Sequence, residues 1–234
     1  MRARHLVRPK ALLLDALGTL VELQPPAPLL RGELARRFGI EVTAGQAEHA
    51  VAAEIAYYRA HLDEGWDRAS LAALRRRCGQ ALGSALPPSA ALATLGADGL
   101  TQALLASLRF SAFADARPAI LAARAQDMRV VVASNWDASL PDVLARVGLT
   151  PLLDGIVTSA QVGARKPAPA VFEQALRVAR ARPADAWHVG DSVREDVAGA
   201  RKAGIEPILL ARDRAPGPPG VRTIATLSEL ARGP

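Results

Sequence analysis

Residues 11–20 read ALLLDALGTL: an apolar run that ends at one carboxylate, Asp15, and then turns through Gly18 and Thr19. A short apolar run closed by a turn signal is the pattern of a strand buried on both faces, as strands of a parallel sheet are. Two further runs repeat it. RVVVASN (129–135) ends at Ser134 and Asn135, and AWHVGD (186–191) ends at Asp191. GIVTS (155–159) and EPILLA (206–211) are read as neighbouring strands.

Helical patterns separate most of these runs, at 117–126, 140–147, 167–180 and 193–203, the third opening near a proline. Alternating strand and helix predicts an α/β fold with a doubly wound, Rossmann-like parallel sheet. Between Pro25 and Phe110 the rhythm changes, because no strand-like run occurs and helical patterns follow one another at 28–38, 44–62, 68–82 and 89–108. An all-helical module is therefore expected after the first strand, dividing the chain into a core of 1–24 and 111–234 and an insert of 25–110. The tail carries a Pro/Gly loop, APGPPG (215–220), and then VRTIATLSELA, read as a final short strand and helix.

Composition narrows the function classes. A chain of 234 residues that is 50% hydrophobic can bury a sizeable core without covalent staples. The one cysteine, Cys78, cannot form an intrachain disulfide, so nothing points to an oxidising compartment and a cytoplasmic location is expected. The amino terminus is basic like a signal peptide, but Pro9 and Lys10 precede the apolar run and Asp15 interrupts it, which argues against export. No window approaches the roughly 18 apolar residues of a membrane span, so no membrane partner is expected. The net charge of +6 comes from scattered arginines with only Lys10, Lys166 and Lys202 beside them, and aromatic residues are 4% of the chain. Nucleic acid is accordingly not expected as a partner, and the oligomeric state is not legible.

In an open parallel sheet, ligands bind beyond the carboxyl ends of the strands. Asp15, Ser134 with Asn135, and Asp191 all fall at that edge, and Lys166 lies in the loop after another strand. Each alone has a bland explanation as a helix cap or turn residue. Four such positions converging on one edge point to a site.

The motifs D-x-x-G-T-L at 15–20, an apolar run closed by S-N at 130–135, G-x-x-K-P-x-P-x-x-F at 163–172 and G-D-S-x-x-x-D at 190–196 follow in order. With them the sequence resembles the haloacid dehalogenase superfamily along almost its whole length, and the helical insert resembles the cap that many members carry. The resemblance implies that Asp15 is a nucleophile forming an aspartyl-phosphate, as an already ionised carboxylate can. It implies Mg²⁺ held by Asp15, Asp191 and the backbone carbonyl of Leu17, an oxygen set suited to a hard cation. Ser134 and the Asn135 amide would donate to a substrate phosphate, Lys166 would neutralise charge, and Asp196 would orient a water or Lys166. The partner implied is a small phosphorylated substrate, chosen by a cap that closes over the site.

Leu17 departs from the pattern. Most phosphatases of the superfamily carry a second aspartate there, which protonates the leaving group and later activates water; a leucine cannot move a proton. Such help contributes typically about 10²–10⁴-fold, and matters least for acyl and aryl phosphates, whose leaving groups are good. Three readings follow: a phosphohydrolase favouring activated phosphates, a weak or silent member binding a phosphorylated ligand or a protein partner, and a 2-haloacid dehalogenase. Imine-forming phosphonate cleavage is set aside, because no lysine lies between Lys10 and Lys166. G-D-S at 190–192, where the dehalogenase branch resembles S-S-N-x-x-D, favours phosphorus over carbon. Asp137 and Glu195 are open as substitutes for the missing acid, each equally readable as a solvated or helix-starting residue. Arg75, Arg76 and Arg77 are read as a solvated face, Tyr57, Tyr58 and Trp66 as buried in the helical module, and His188 as a core residue; His5, His49 and His61 have no neighbour at metal-ligand spacing.

Overall fold

A computed structural model describes residues 9–232; residues 1–8, with the basic stretch weighed for export and His5, lie outside the described residues. The strands are β1 (Ala11–Leu14), β2 (Val21–Leu23), β3 (Phe110–Ala112), β4 (Arg129–Ser134), β5 (Gly155–Thr158), β6 (Ala186–Gly190), β7 (Glu206–Leu210) and β8 (Arg222–Ile224). The helices are α1 (Pro26–Phe38), α2 (Ala44–His61), α3 (Arg68–Ser84), α4 (Ala90–Ser107), α5 (Ala116–Arg124), α6 (Leu140–Arg146), α7 (Ser159–Val162), α8 (Pro169–Ala179) and α9 (Ala198–Lys202). The chain divides into two compact units, one formed by the segments up to Glu22 and from Ala112, the other by Leu23–Ser111.

The first unit is α/β. Its six-stranded sheet has the order β5-β4-β1-β6-β7-β8, with parallel pairings throughout. Leu14 of β1 lies opposite Val132 of β4 and Val189 of β6. Asp15 therefore stands level with Ala133 and Gly190, and Ser134 and Asp191 are each one residue further along the same edge. Side-chain alternation covers both faces. Leu13, Val131 and Ala133 pack with Phe172, Ala175 and Leu176 of α8, while Leu12 on the other face lines a small apolar cleft with Ala119 and Ala123 of α5. Each fully buried leucine or valine contributes about 1.5–3 kcal/mol, so this layer fixes the register of the edge above it.

Three details differ from the expectation drawn on sequence. The stretch 193–203 is not one helix: a π-helical turn at Val193–Val197 precedes α9. The tail helix is a 3₁₀ segment, Leu227–Arg232. The short strands β2 and β3 pair with each other where the chain enters and leaves the helical stretch, and neither was legible, since three residues carry too little periodicity.

The second unit is helical. Two of its helices start where side chains satisfy the first free amides: Thr43 with Gln46 and Asp67 with Ser70 form capping boxes for α2 and α3. Leu30, Leu34, Leu74, Leu82 and Leu104 bury their side chains completely or nearly so in its core. Tyr57 and Tyr58 pack against that core, whereas Trp66 is 57% exposed and corrects the expectation of burial, its indole lying outside the packed layer. Of the arginine cluster, Arg76 pairs with Asp98 at 3.4 Å and Arg77 with Glu64.

Two buried acids in this unit fare differently. Glu33 is surrounded by Arg36, Arg37 and Arg109. Glu54, 5% exposed, meets the Cys78 thiol instead, and burial pushes its carboxyl from about 4.5 up to about 7. The folded chain then binds more protons than the unfolded one between those values, so stability should fall as pH rises from about 4.5 to 7 and stay level above. The full cost is about 3 kcal/mol. Glu54→Gln should therefore melt higher than wild type at pH 8, and the gain should shrink at pH 5; thermal denaturation at the two pH values checks it.

Candidate active site

Asp15 leaves β1 at the sheet edge, its backbone amide donating to Val189 O at 2.9 Å and its side chain buried. Its Oδ1 accepts from Ser134 Oγ at 2.8 Å and from Lys166 Nζ at 2.6 Å. The same Nζ donates to Asp196 Oδ1 at 2.5 Å, so one buried ammonium bridges two carboxylates. Asp196 also accepts from His188 Nε2 at 2.8 Å and, through Oδ2, from the Ser192 amide at 3.0 Å. Both of its oxygens are thus engaged by the protein.

His188 is fully buried on β6, edge-on to the Phe172 ring, and its Nδ1 has no partner. The tautomer with the hydrogen on Nε2 fits, since a hydrogen on Nδ1 would find no acceptor. The core reading for His188 holds for its burial but misses its contact: eight residues of sequence separate it from Asp196, and only the π turn brings that carboxylate back over the strand. The glycine before Asp191 makes room for it, because a Cβ on Gly190 would lie 2.1 Å from Asp196 Cγ.

Carboxylate oxygens of Asp15, Asp191 and Asp196 all lie within 4.8 Å of one another. With both Asp196 oxygens spoken for, Asp15 and Asp191 are the two with capacity for a cation. Gly18 brings the loop against them: its φ is +79°, and a Cβ there would stand 2.1 Å from Asp191 Oδ2. Leu17 precedes it and is 40% exposed, so no packing demands a leucine at this position.

The charge balance is lopsided. Burial lowers the affinity of the Lys166 amine for its proton, but the carboxylates of Asp15 and Asp196 outweigh it and hold the ammonium above its ordinary range. Burial also acts against the charge on Asp196, yet Lys166 and His188 keep its carboxyl below the usual range. Asp15 is raised, chiefly by burial, since its share of Lys166 is opposed by Asp196. Asp191, exposed on one side but lodged among protein atoms on the other, is pushed up to about 6 by burial and then by Asp15 and Asp196. Three carboxylates facing one ammonium leave negative charge uncompensated, and the open oxygens are hard donors, so the cluster can hold a divalent cation.

The other sequence candidates have local duties. Asn135 is a cross-brace: Nδ2 donates to Lys166 O and Glu195 Oε2, and Oδ1 accepts from the Lys166 amide. Glu195 is thereby tied to Asn135, and the buried Asp137 accepts from the Ser139 amide at 2.7 Å, a turn-capping use. Neither contact gives either acid a role in proton transfer. Opposite stability effects are predicted in EDTA. Asp196→Asn should destabilise by about 3 kcal/mol, because it strips charge from a buried, hydrogen-bonded partner of Lys166. Asp15→Asn should stabilise by roughly 1 kcal/mol, because it relieves crowded carboxylates. Urea unfolding of both variants reads the signs.

A model of the haloacid dehalogenase-like hydrolase family matches residues 9–204. Among curated proteins, the haloacid dehalogenase-like hydrolase domain-containing protein 3 of Bos taurus is 40% identical over 88 residues, 38% of this chain and 35% of its own. The ribulose-1,5-bisphosphate 5-phosphatase of Halopiger xanaduensis is 32% identical over 96 residues, 41% of this chain and 40% of its own. The chain thus spans about a third to a half of the length of the curated relatives it matches. Among solved structures, a 2-haloacid dehalogenase from Pseudomonas syringae is 26% identical with a TM-score of 0.66, covering 95% of this chain and 96% of that one.

Proposed function

The chain belongs to the haloacid dehalogenase-like hydrolase family, and from that premise we propose that it is a Mg²⁺-dependent phosphohydrolase acting on a small phosphorylated metabolite through an aspartyl-phosphate at Asp15. The observation that carries this reading is Lys166 Nζ within 2.6 Å of Asp15 and 2.5 Å of Asp196, with Asp191 beside them in the same carboxylate cluster. The relative named as a phosphatase supports the same chemistry. A dehalogenase has no use for a second open carboxylate beside its nucleophile, and Asp191 therefore favours phosphorus. The Leu23–Ser111 unit is read as the inserted cap.

Asp15, Asp191 and the Leu17 carbonyl would hold Mg²⁺. When bound, the ion supplies positive charge that lets an anionic carboxylate meet an anionic phosphate. The Asp15 carboxylate attacks phosphorus, the bond from phosphorus to the leaving oxygen breaks, and the leaving group departs with the electron pair. Lys166 offsets charge on nucleophile and phosphoryl group, and Ser134 Oγ, which orients Asp15 Oδ1, is within reach of the same phosphoryl group. Asp196, anchored by His188 and the Ser192 amide, keeps Lys166 on Asp15. Water then attacks the phosphoryl group on Asp15, releasing phosphate and the carboxylate.

With Leu17 in place of an acid, neither half-reaction has the usual proton carrier, so leaving groups that are stable as anions are preferred and the phosphoenzyme should break down slowly. The expected outcome is phosphate release from acetyl phosphate and p-nitrophenyl phosphate that needs both Mg²⁺ and Asp15, with Asp15→Asn inactive. Mass spectrometry of protein quenched during turnover should find phosphorylated Asp15. Folded protein inactive on both esters would favour a silent binder, and chloride release from 2-chloropropionate would favour the dehalogenase.

Leu17 is 40% exposed, so Leu17→Asp leaves no cavity, but it adds a carboxylate beside an already anionic cluster and should cost about 1 kcal/mol of stability in EDTA, less with a divalent cation present. It should raise kcat/KM on alkyl or sugar phosphates by about 10- to 100-fold while changing aryl phosphates far less. Steady-state kinetics on the two substrate classes checks it.

A further inference from the structure

Arg212 lies just beyond β7, and as a lone arginine after a strand it belongs to no sequence motif. In the fold its guanidinium engages two backbone carbonyls, a carboxylate and an aromatic ring. Nε donates to Gly18 O at 3.1 Å and Nη2 to Thr19 O at 2.7 Å. Nη1 and Nη2 donate to Asp115 Oδ2 and Oδ1 at 3.1 and 3.0 Å. The plane lies over the Phe113 ring, 3.6 Å from its centroid.

Asp115 shows that this arrangement overrides local preference. It occupies the N-cap position of α5, where an aspartate ordinarily accepts from the amides of its own helix, yet its carboxylate makes no such bond. It accepts from Arg212 and from the Leu227 amide at 2.8 Å instead. The loop that follows Asp15, the start of α5, the loop after β7 and the carboxyl-terminal 3₁₀ segment are thereby tied at one Arg212–Asp115 pair. Phe113 adds a backbone bond to Leu20 O at 3.0 Å, so the loop is held from both sides.

What is held is the peptide next to the site. Gly18 approaches Asp191 so closely that no Cβ fits between them, and the carbonyl that Arg212 grips belongs to that same residue. The preceding peptide carries the Leu17 carbonyl. We propose that Arg212, oriented by Asp115, is a positioning residue that sets the Leu17–Gly18 backbone against Asp191 and thereby tunes divalent-cation binding at the Asp15–Asp191 pair; this rests on the phosphohydrolase reading above. A lysine cannot replace it, since one ammonium cannot reproduce a planar fork that serves two carbonyls, a bidentate carboxylate and an aromatic face.

The test is Mg²⁺ titration by calorimetry on metal-stripped, full-length protein, with no substrate present, for wild type, Arg212→Ala, Arg212→Lys and Asp115→Asn. All three variants should bind Mg²⁺ about 10- to 100-fold more weakly, the range typical for groups that orient ligands from behind. Guanidinium ion at millimolar concentration should recover part of the affinity in Arg212→Ala and none in Asp115→Asn. Should Arg212→Ala fail to fold by circular dichroism, Arg212→Lys and Asp115→Asn carry the comparison. Folded variants that bind Mg²⁺ as tightly as wild type, whatever their melting temperature, would overturn this role and leave the phosphohydrolase reading standing. Wild type that binds no Mg²⁺ would overturn both, and the phosphate-release assay identifies that case independently.

Discussion

A single buried ammonium, Lys166 Nζ, held 2.6 Å from Asp15 and 2.5 Å from Asp196, organises the carboxylate-bearing edge of the sheet. Burying a charge is costly unless it is paired and hydrogen-bonded, and pairing one cation with two anions leaves the arrangement short of positive charge. The surrounding structure distributes that shortage unevenly. Asp196 receives the added donors, His188 Nε2 and the Ser192 amide, and stays firmly ionised. Asp15 and Asp191 receive fewer, and both sit above their ordinary range. The cluster is thus strained in charge at Asp15 and Asp191, where the proposed reaction would bring a cation and a phosphate, and settled at Asp196, which holds a lysine.

The backbone around the cluster is shaped to the same end. Gly190 has no Cβ because the Asp196 carboxylate occupies that space, and Gly18 has none because Asp191 does. The π turn at Val193–Val197 lets Ser192 O accept from both Asp196 and Val197 amides while Ser192 N donates back to the Asp196 carboxylate. Insertions of this kind are frequent at functional sites because they re-aim one side chain without moving the helix that follows. Arg212 does for the loop after β1 what His188 does for Asp196, holding in place a group next to the carboxylate cluster.

Much of this was legible before any coordinates. The apolar runs ending at Asp15, Ser134 and Asp191 announced strands with polar ends at one edge, and each lies in the sheet within a residue or two of its expected bounds. The order of motifs carried Lys166 and Asp196 as well. The contacts made by His188, Asp115 and Arg212 were not legible, because their partners lie 8, 97 and up to 194 residues away and no periodicity records such a distance. The short strands β2 and β3 escaped for the opposite reason: three residues are too few to show a period.

What the sequence by itself determined is the alternation of buried strand and amphipathic helix, the helical interruption, and the residue types at the strand ends, since burial and capping act on near neighbours and leave a local pattern. Only the tertiary structure decided which oxygen of each carboxylate is spent. It engages both oxygens of Asp196 and leaves Asp15 and Asp191 with capacity, though all three are aspartates in similar positions. It also decided that an exposed leucine stands beside them with no packing reason to be there. Those outcomes depend on donors delivered from distant segments into a space of a few ångströms, where electrostatics is set by who arrives and not by who is adjacent in the chain.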